Sequence, residues 1–244
     1  MYSIFMINTY NESSLHKMIK NMVAKEVTGI TEKEINGYIC DIYGTNGKIY
    51  EVQTKNLGNL TGKILNLLES YPVTLIYPLP VKTYIEYYAE KNIEGKPLSR
   101  RKAPGTKTIY NIFDELMGCF PLLLKENFTL AVVETSITKE RLRTAKKVQS
   151  ANKNRRFLKD WLTHDTTLDE IYSFRTFCEA KDYIELLPKN LETFTINDLA
   201  QTKEFAKINK NQIYKMMWTF EKMGIVECIG KVGRSREFKI LTNW

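Results

Sequence analysis

Cysteine is scarce and scattered. Cys40, Cys119, Cys178 and Cys228 are the four in 244 residues. They form no CxxC pair and no zinc-site spacing, and isolated cysteines of this kind read as reduced core residues, as suits a cytoplasmic protein. Long apolar runs are missing too. No stretch reaches the roughly 18 residues that a membrane helix needs, so no membrane partner is expected. The first residues, MYSIFMINTYNES, lack the charged start and apolar middle of a signal peptide. What is present is ordinary for a globular chain: 43% hydrophobic residues, enough for a sizeable core in one large domain or two smaller ones.

Acid is in short supply in one place only. Residues 1–90 hold 8 Lys/Arg against 9 Asp/Glu, residues 91–160 hold 16 against 7, and residues 161–244 hold 12 against 12. The whole net charge of +8 therefore comes from the middle third. Segregation of this kind points to a polyanion partner, the plainer alternative being a solvated lysine-rich linker.

The best lead to chemistry is Gly37–Lys55, GYICDIYGTNGKIYEVQTK, which reads as two strands around a tight turn. Thr45-Asn46-Gly47 suits a three-residue hairpin loop with Gly47 in the left-handed position. That loop opposes Gly44 to Lys48, hence Asp41 to Glu51 and Ile39 to Gln53. Asp41, Glu51 and Gln53 are then expected on one face. Two carboxylates held together repel unless a cation or a proton lies between them.

Around this hairpin, Thr9 or Asn11 can cap a helix to about Lys25, with Leu15, Met18, Ile19, Met22 and Val23 as its apolar stripe. Glu12 in its first turn is either a partner of the helix dipole or a third acid near a metal, and His16 lies one turn on. Asn59–Tyr71 reads as a helix with Lys63 pointing away from the core, and Val73–Leu79 as a strand buried on both faces. Helix, hairpin, helix and buried strand describe an α/β sandwich. Thr83–Asn92 continues the sheet. Residues 96–107, with Arg100, Arg101, Lys102 and Lys107, read as a phosphate-contacting loop broken by Pro and Gly. A helix follows from Ile109 and a strand over Phe128–Ser136. Lys139–Lys159, strongly basic, is expected to be flexible or partly helical and to neutralise phosphates with the 96–107 loop, and Tyr172–Leu187 to be a helix.

In the last third, helices are expected near Thr195, around Lys203–Ala206, and from Asn209 to Met223 with Gly224 ending the last. Ile225–Ile229 and Arg236–Leu241 then alternate as two strands. Short helices followed by a hairpin form the winged-helix (helix-turn-helix) arrangement. Its third helix would offer Lys210, Gln212 and Lys215, and its wing Lys231, Arg234 and Arg236. The expected division is 1–170 for the α/β domain and 171–244 for the winged helix.

The order of Glu12, Asp41 and Glu51-Val52-Gln53, followed by the helix from Asn59 and the strand from Val73, resembles the PD-(D/E)xK nuclease superfamily over roughly residues 5–90, its Holliday-junction-resolvase and restriction-endonuclease types above all. The resemblance implies a restriction-endonuclease-like mixed sheet flanked by helices. It also implies a DNA endonuclease of restriction, repair or mobile-element type that uses Mg²⁺ or Mn²⁺. Asp41, Glu51 and the Val52 carbonyl would hold the ion, with Glu12, Gln53 and Lys55 as further catalytic groups. Gln53 stands where the superfamily has lysine. A few restriction enzymes carry Gln there, and Lys55 or Lys63 is the available substitute. Such nucleases often cut as dimers, which leaves a homodimer open. Strings such as EVQTKN, LSRRKAPG and MGIVECIGKVGR also resemble an uncharacterised bacterial domain family. Two rival functions remain: a nuclease-like DNA-binding regulator without catalysis, and a protein-docking module.

Overall fold

A serine opens the first helix. Ser13 caps α1 (Ser14–Glu26), its hydroxyl accepting from the His16 N–H. The computed structural model describes residues 13–89, 95–150, 153, 155–189 and 191–241, so Thr9, Asn11 and Glu12 lie outside the described residues. Leu15 and Ile19 are the buried apolar positions of α1, one turn apart, while Met18 and Met22 are exposed. The apolar stripe is narrower than the periodicity predicts.

A mixed sheet follows. β1 (Ile30–Ile35), β2 (Tyr38–Tyr43) and β3 (Ile49–Val52) pair antiparallel in sequence order. β4 (Val73–Tyr88) lies parallel to both β3 and β6 (Phe128–Val148), and β7 (Lys159–Phe177) returns antiparallel to β6. Parallel neighbours need crossovers. α2 (Thr61–Leu68) supplies the first and α3 (Phe113–Cys119) the second. The order across the sheet is β1-β2-β3-β4-β6-β7, with β5 (Ser99–Lys102) added to β4. α1 covers one face, packing Leu15 and Ile19 on Val52, Ile76, Ala131 and Ile137. α2 and α3 cover the other through Ile64, Leu67, Phe113 and Leu116.

Three segments differ from the sequence expectation, all toward strand. Residues 99–102 form β5 between Pro97 and Pro104, pairing Arg100 with Glu86 and Arg101 with Ile85. Residues 139–148 are not flexible or helical but extend β6, and Lys159–Phe177 is β7, so residues 172–177 are strand where a helix was expected. The reason is periodicity. Lys139, Arg141 and Arg143 alternate with other residues at a spacing of two, which a strand uses to put all three on one side. The expected boundary at 170/171 falls inside β7. The chain leaves the sheet only after Phe177.

β4 also explains its own prolines. Its Ile76 carbonyl accepts from Gln53 N–H on the β3 side. By alternation, Pro78 and Pro80 turn toward that same edge. β3 pairs only up to Ile76 and β5 begins at Tyr84, so the missing proline N–H groups face a gap in the sheet. A cleft opens there.

After α4 (Ala180–Ile184) come β8 (Thr193–Thr195), α5 (Ile196–Gln201), α6 (Lys210–Lys222), β9 (Val226–Val232) and β10 (Ser235–Ile240). Thr195 caps α5 reciprocally with Asp198, Asn209 caps α6, and Gly224 follows α6 at φ 72°. β8, β10 and β9 form a small antiparallel sheet. Residues 203–206, expected to be helical, are a turn that buries Phe205 against Tyr110. Among the described residues this C-terminal unit has no separate core. Phe220 of α6 meets Phe113 edge-on at 5.4 Å between centroids, and Trp218 meets Phe120 at 5.5 Å.

A shared core has a measurable consequence. Phe220→Ala should cost about 3–5 kcal/mol and lower the urea midpoint of the sheet and of the C-terminal unit together, in one transition. A separate early transition of residues 179–241, with the sheet's midpoint unmoved, would refute the shared core.

Candidate metal and nucleic-acid site

The hairpin forms as its loop predicts. Gly44 N–H donates to the Lys48 carbonyl at 2.9 Å, Gly47 takes φ 74°, and the ladder pairs Tyr43 with Ile49 and Ile42 with Tyr50. Then the ladder stops and side chains take over. Asp41 N–H donates to Glu51 Oε1 at 3.3 Å, and Val52 N–H donates to Asp41 Oδ2 at 2.8 Å. Asp41 and Glu51 thus meet, but they turn to different neighbours rather than sharing one open face. Glu51 is 2% exposed and accepts from Lys63 Nζ of α2 at 2.7 Å. Lys63, expected to point elsewhere, also donates to the Ile39 carbonyl at 2.6 Å. Asp41 lines the cleft with Gln53 and Lys55, and its Oδ2 is 3.4 Å from His16 Nε2.

The environment splits the two acids. Burial pushes the Asp41 carboxyl up, but the hydrogen bond from His16, the Val52 amide and the Lys63 charge together hold it below its ordinary value. Burial, then the charge of Asp41, pushes Glu51 up, and Lys63 opposes both only in part. Cys40 beside them is pushed up to about 11, first by burial and then by Glu51, so its thiol stays protonated.

Two oxygens converge on one point. His16 Nε2–H donates to the Val52 carbonyl at 2.7 Å, and the same nitrogen faces Asp41 Oδ2. Carboxylate and carbonyl oxygens are the donors a hard divalent ion takes. Asp41 and Val52 therefore fit such an ion in chemistry and direction, with the imidazole holding the place between them. Glu51 fits only if Lys63 releases it. Among the described residues no three His, Cys, Asp or Glu side chains form a metal cluster, and Glu12 is not among those residues.

Cations ring the same cleft, which measures about 940 Å³. Lys55 follows β3, Lys107 follows β5, and Lys139 and Arg141 come from β6. None of the four pairs with an acid among the described residues. Burial lowers the Lys139 pKa, and Lys107, Arg141 and Lys55 lower it further. Arg141 is fixed in place: its guanidinium stacks 3.6 Å over the Trp161 ring, its Nη1 donates to Tyr87 Oη at 3.0 Å, and its buried Nε has no partner.

The other expected nucleic-acid contacts divide. Arg101 and Lys102 are exposed on β5, while Arg100 faces Glu86 at 3.6 Å and stacks on Tyr84. Lys231 and Arg234 are exposed on the β9–β10 hairpin. Four others are engaged within the chain. Lys210 donates to Asn197, Gln212 and Lys215 both donate to Asp114 of α3, and Arg236 makes two bonds to Glu221. α6 thus turns part of its expected DNA-facing side toward the sheet domain. Lys139 and Arg141 belong to the basic segment expected to meet phosphates, but their place in the cleft beside Trp161 follows from strand alternation, for which the spacing of Lys139, Arg141 and Arg143 is the signal in the sequence.

Comparison with known proteins adds membership without chemistry. A family model described as "Domain of unknown function (DUF8091)" matches residues 13–178, ending one residue beyond β7. An uncharacterized protein of Treponema pallidum (strain Nichols) is 32% identical over 197 residues, covering 80% of this chain and 74% of the relative. No solved structure matches.

The Glu51–Lys63 pair can be tested without a substrate. Lys63→Met leaves a buried carboxylate uncompensated, which should cost about 3–5 kcal/mol at pH 8. A carboxyl whose folded pKa is raised gains stability as pH falls toward that pKa, because the folded state binds the extra proton. The Lys63→Met penalty should therefore shrink at pH 5, and Glu51→Gln in the same chain should restore most of the loss. Urea titrations at the two pH values read this out. An equal penalty at both would mean that Glu51 does not depend on Lys63.

Proposed function

We propose that this chain, which belongs to the DUF8091 family, binds DNA and hydrolyses its phosphodiester bonds as a divalent-metal-dependent endonuclease. One observation carries the reading: a carboxylate and a carbonyl converge on one point of a cleft whose lining, alongside Glu32 and Glu115, holds four cations that pair with no acid among the described residues. A phosphodiester is the ligand that satisfies both halves, since its negative oxygens suit Lys55, Lys107, Lys139 and Arg141 while its reacting phosphorus lies beside the oxygen donors. The order of helix, three antiparallel strands, helix and parallel strand supports a PD-(D/E)xK-type core as the frame for this chemistry.

Asp41 and the Val52 carbonyl would hold Mg²⁺ or Mn²⁺, with Glu51 as the neighbouring acid. The ion, when bound, polarises the phosphodiester and lowers the pKa of an attacking water. The chain's own groups do the rest. Lys63 sets the charge of Glu51. Gln53 and Lys55, at the end of β3, are placed to orient water and to meet developing negative charge. Arg141, held by Trp161 and Tyr87, presents a rigid fork to a phosphate. The C-terminal unit has the helix, helix and hairpin order of a winged helix. Because Gln212 and Lys215 bond Asp114, this unit would brace the sheet domain and offer DNA chiefly Lys231 and Arg234.

A second reading has its own observation. His16 and Lys63 already satisfy the oxygens of Asp41, Val52 and Glu51, as in a nuclease-like DNA-binding regulator that needs no ion. Incubating supercoiled plasmid and four-way junctions with Mg²⁺ or Mn²⁺ separates the two. Wild type should cleave, and Asp41→Ala and Glu51→Ala should lose at least about a hundredfold while retaining DNA in a mobility-shift assay. DNA binding with no cleavage by wild type favours the regulator. Undiminished cleavage by both variants removes this site from the reaction.

A further inference from the structure

The arm formed by β6 and β7 carries a feature that the cleft does not require. β4 accompanies β6 only as far as the pair Tyr88 and Leu142, whereas β6 and β7 pair on to Arg143 and Trp161 and, after a break in register over residues 144–147, once more at Val148 and Lys159. The far end of the arm is thus a two-stranded ribbon. Residues 141–159 contain eight Lys/Arg and no Asp/Glu. At its turn, two apolar side chains stand in solvent among these cations: Phe157, 63% exposed, and Leu158, 52% exposed. The Arg156 guanidinium lies 5.1 Å from the Phe157 ring.

We propose that this ribbon tip is a wedge for duplex DNA: Phe157 and Leu158 enter between adjacent base pairs while the flanking cations hold phosphates on either side. The inference rests on the nucleic-acid reading above and names its substrate as a duplex deformed at a point away from the cleft. Apolar wedges of this type unstack a base step and kink the helix, so that more protein surface meets the bent duplex. The wedge needs a stiff mount, and the tip has one. Arg155 donates to the Trp161 carbonyl at 3.0 Å and stacks 4.3 Å over its ring, while Gln149 donates to the Arg155 carbonyl at 2.8 Å.

Spacing and charge favour DNA over other partners. Lys139 lines the cleft and pairs with Thr166, and Val148 at the end of β6 pairs with Lys159, so seven residues of β7, about 23 Å when extended, separate cleft and tip. A turn of B-DNA covers about 34 Å. Lys139 and Arg141 mark one side of the strand along that path, with Arg143 beyond them held by Asp160, so cleft and tip can meet the same duplex within one turn. A membrane surface would use the tip alone and leave this track without a purpose.

The test uses the full chain and a duplex of about 40 base pairs, longer than one helical turn, with 2-aminopurine stepped through its sequence. Wild type should raise the fluorescence at one or two steps. Phe157→Ala with Leu158→Ala should abolish that rise and weaken binding about tenfold, with thermal unfolding unchanged because both side chains are exposed. Lys147→Gln with Arg156→Gln should lower the slope of log affinity against log salt by about two. If wild type binds the duplex and the alanine variant keeps both fluorescence and affinity, the wedge is wrong and the nucleic-acid reading stands. If wild type binds no duplex even at low salt, the nucleic-acid reading itself fails. Binding to phosphatidylserine vesicles that depends on Phe157, with duplex affinity indifferent to it, overturns the wedge in favour of a membrane contact.

Discussion

Two hydrogen bonds between β2 and β3 govern the geometry of the site. Where the ladder would continue, Asp41 N–H bonds Glu51 and Val52 N–H bonds Asp41, so each strand's backbone donor is satisfied by the other's carboxylate. Burying two carboxylates this close costs several kcal/mol per ion before compensation. Compensation comes from two different helices. α2 sends Lys63 to Glu51, and α1 sends His16 to Asp41 and the Val52 carbonyl. The helices on opposite faces of the sheet are thereby tied to neighbouring residues of β2 and β3, one through charge and one through an imidazole. The opposite pKa directions of the two acids follow, since Asp41 collects donors in a cleft while Glu51 is buried beside Asp41's charge.

Much of this was legible locally. Thr45-Asn46-Gly47 sets the turn and hence the meeting of Asp41 with Glu51, because a three-residue loop with a left-handed glycine leaves little choice of register. Caps were similarly readable at Asn209 and Thr195, where a side-chain oxygen satisfies a helix's free N–H. Other features depend on distant partners. That the two acids turn apart follows from His16 and Lys63, which approach from opposite faces. Residues 139–148 and 172–177 look unlike strands by composition, being charged in the first case and mixed in the second. They are strands because β4 supplies an edge for β6 as far as Leu142, and β6 and β7 supply edges for each other. Gln212 and Lys215 illustrate the same limit: exposed on an isolated helix, they are engaged once α6 meets Asp114.

Length is the property that joins the site to the arm. β6 lies in the core over Leu130–Ile137, lines the cleft at Lys139 and Arg141, and leaves the body of the molecule beyond Leu142. One strand is therefore core, cleft wall and arm in succession. Its aromatic neighbours change role along the way, from packing at Phe177 to holding guanidiniums at Tyr87 and Trp161. At Arg141 such stacking keeps the guanidinium extended with no ion pair to an acid among the described residues, whereas Arg143, stacked on Tyr87, also pairs with Asp160.

That unspent charge has a thermodynamic side. Burial first, then Lys107, Arg141 and Lys55, lower the Lys139 pKa, so the folded state carries repulsion that the unfolded chain does not. A structure keeps such a cluster at the expense of stability unless an anion occupies it. Any polyanion bound there relieves the repulsion only in the folded state, and so must raise the stability of the fold by linkage.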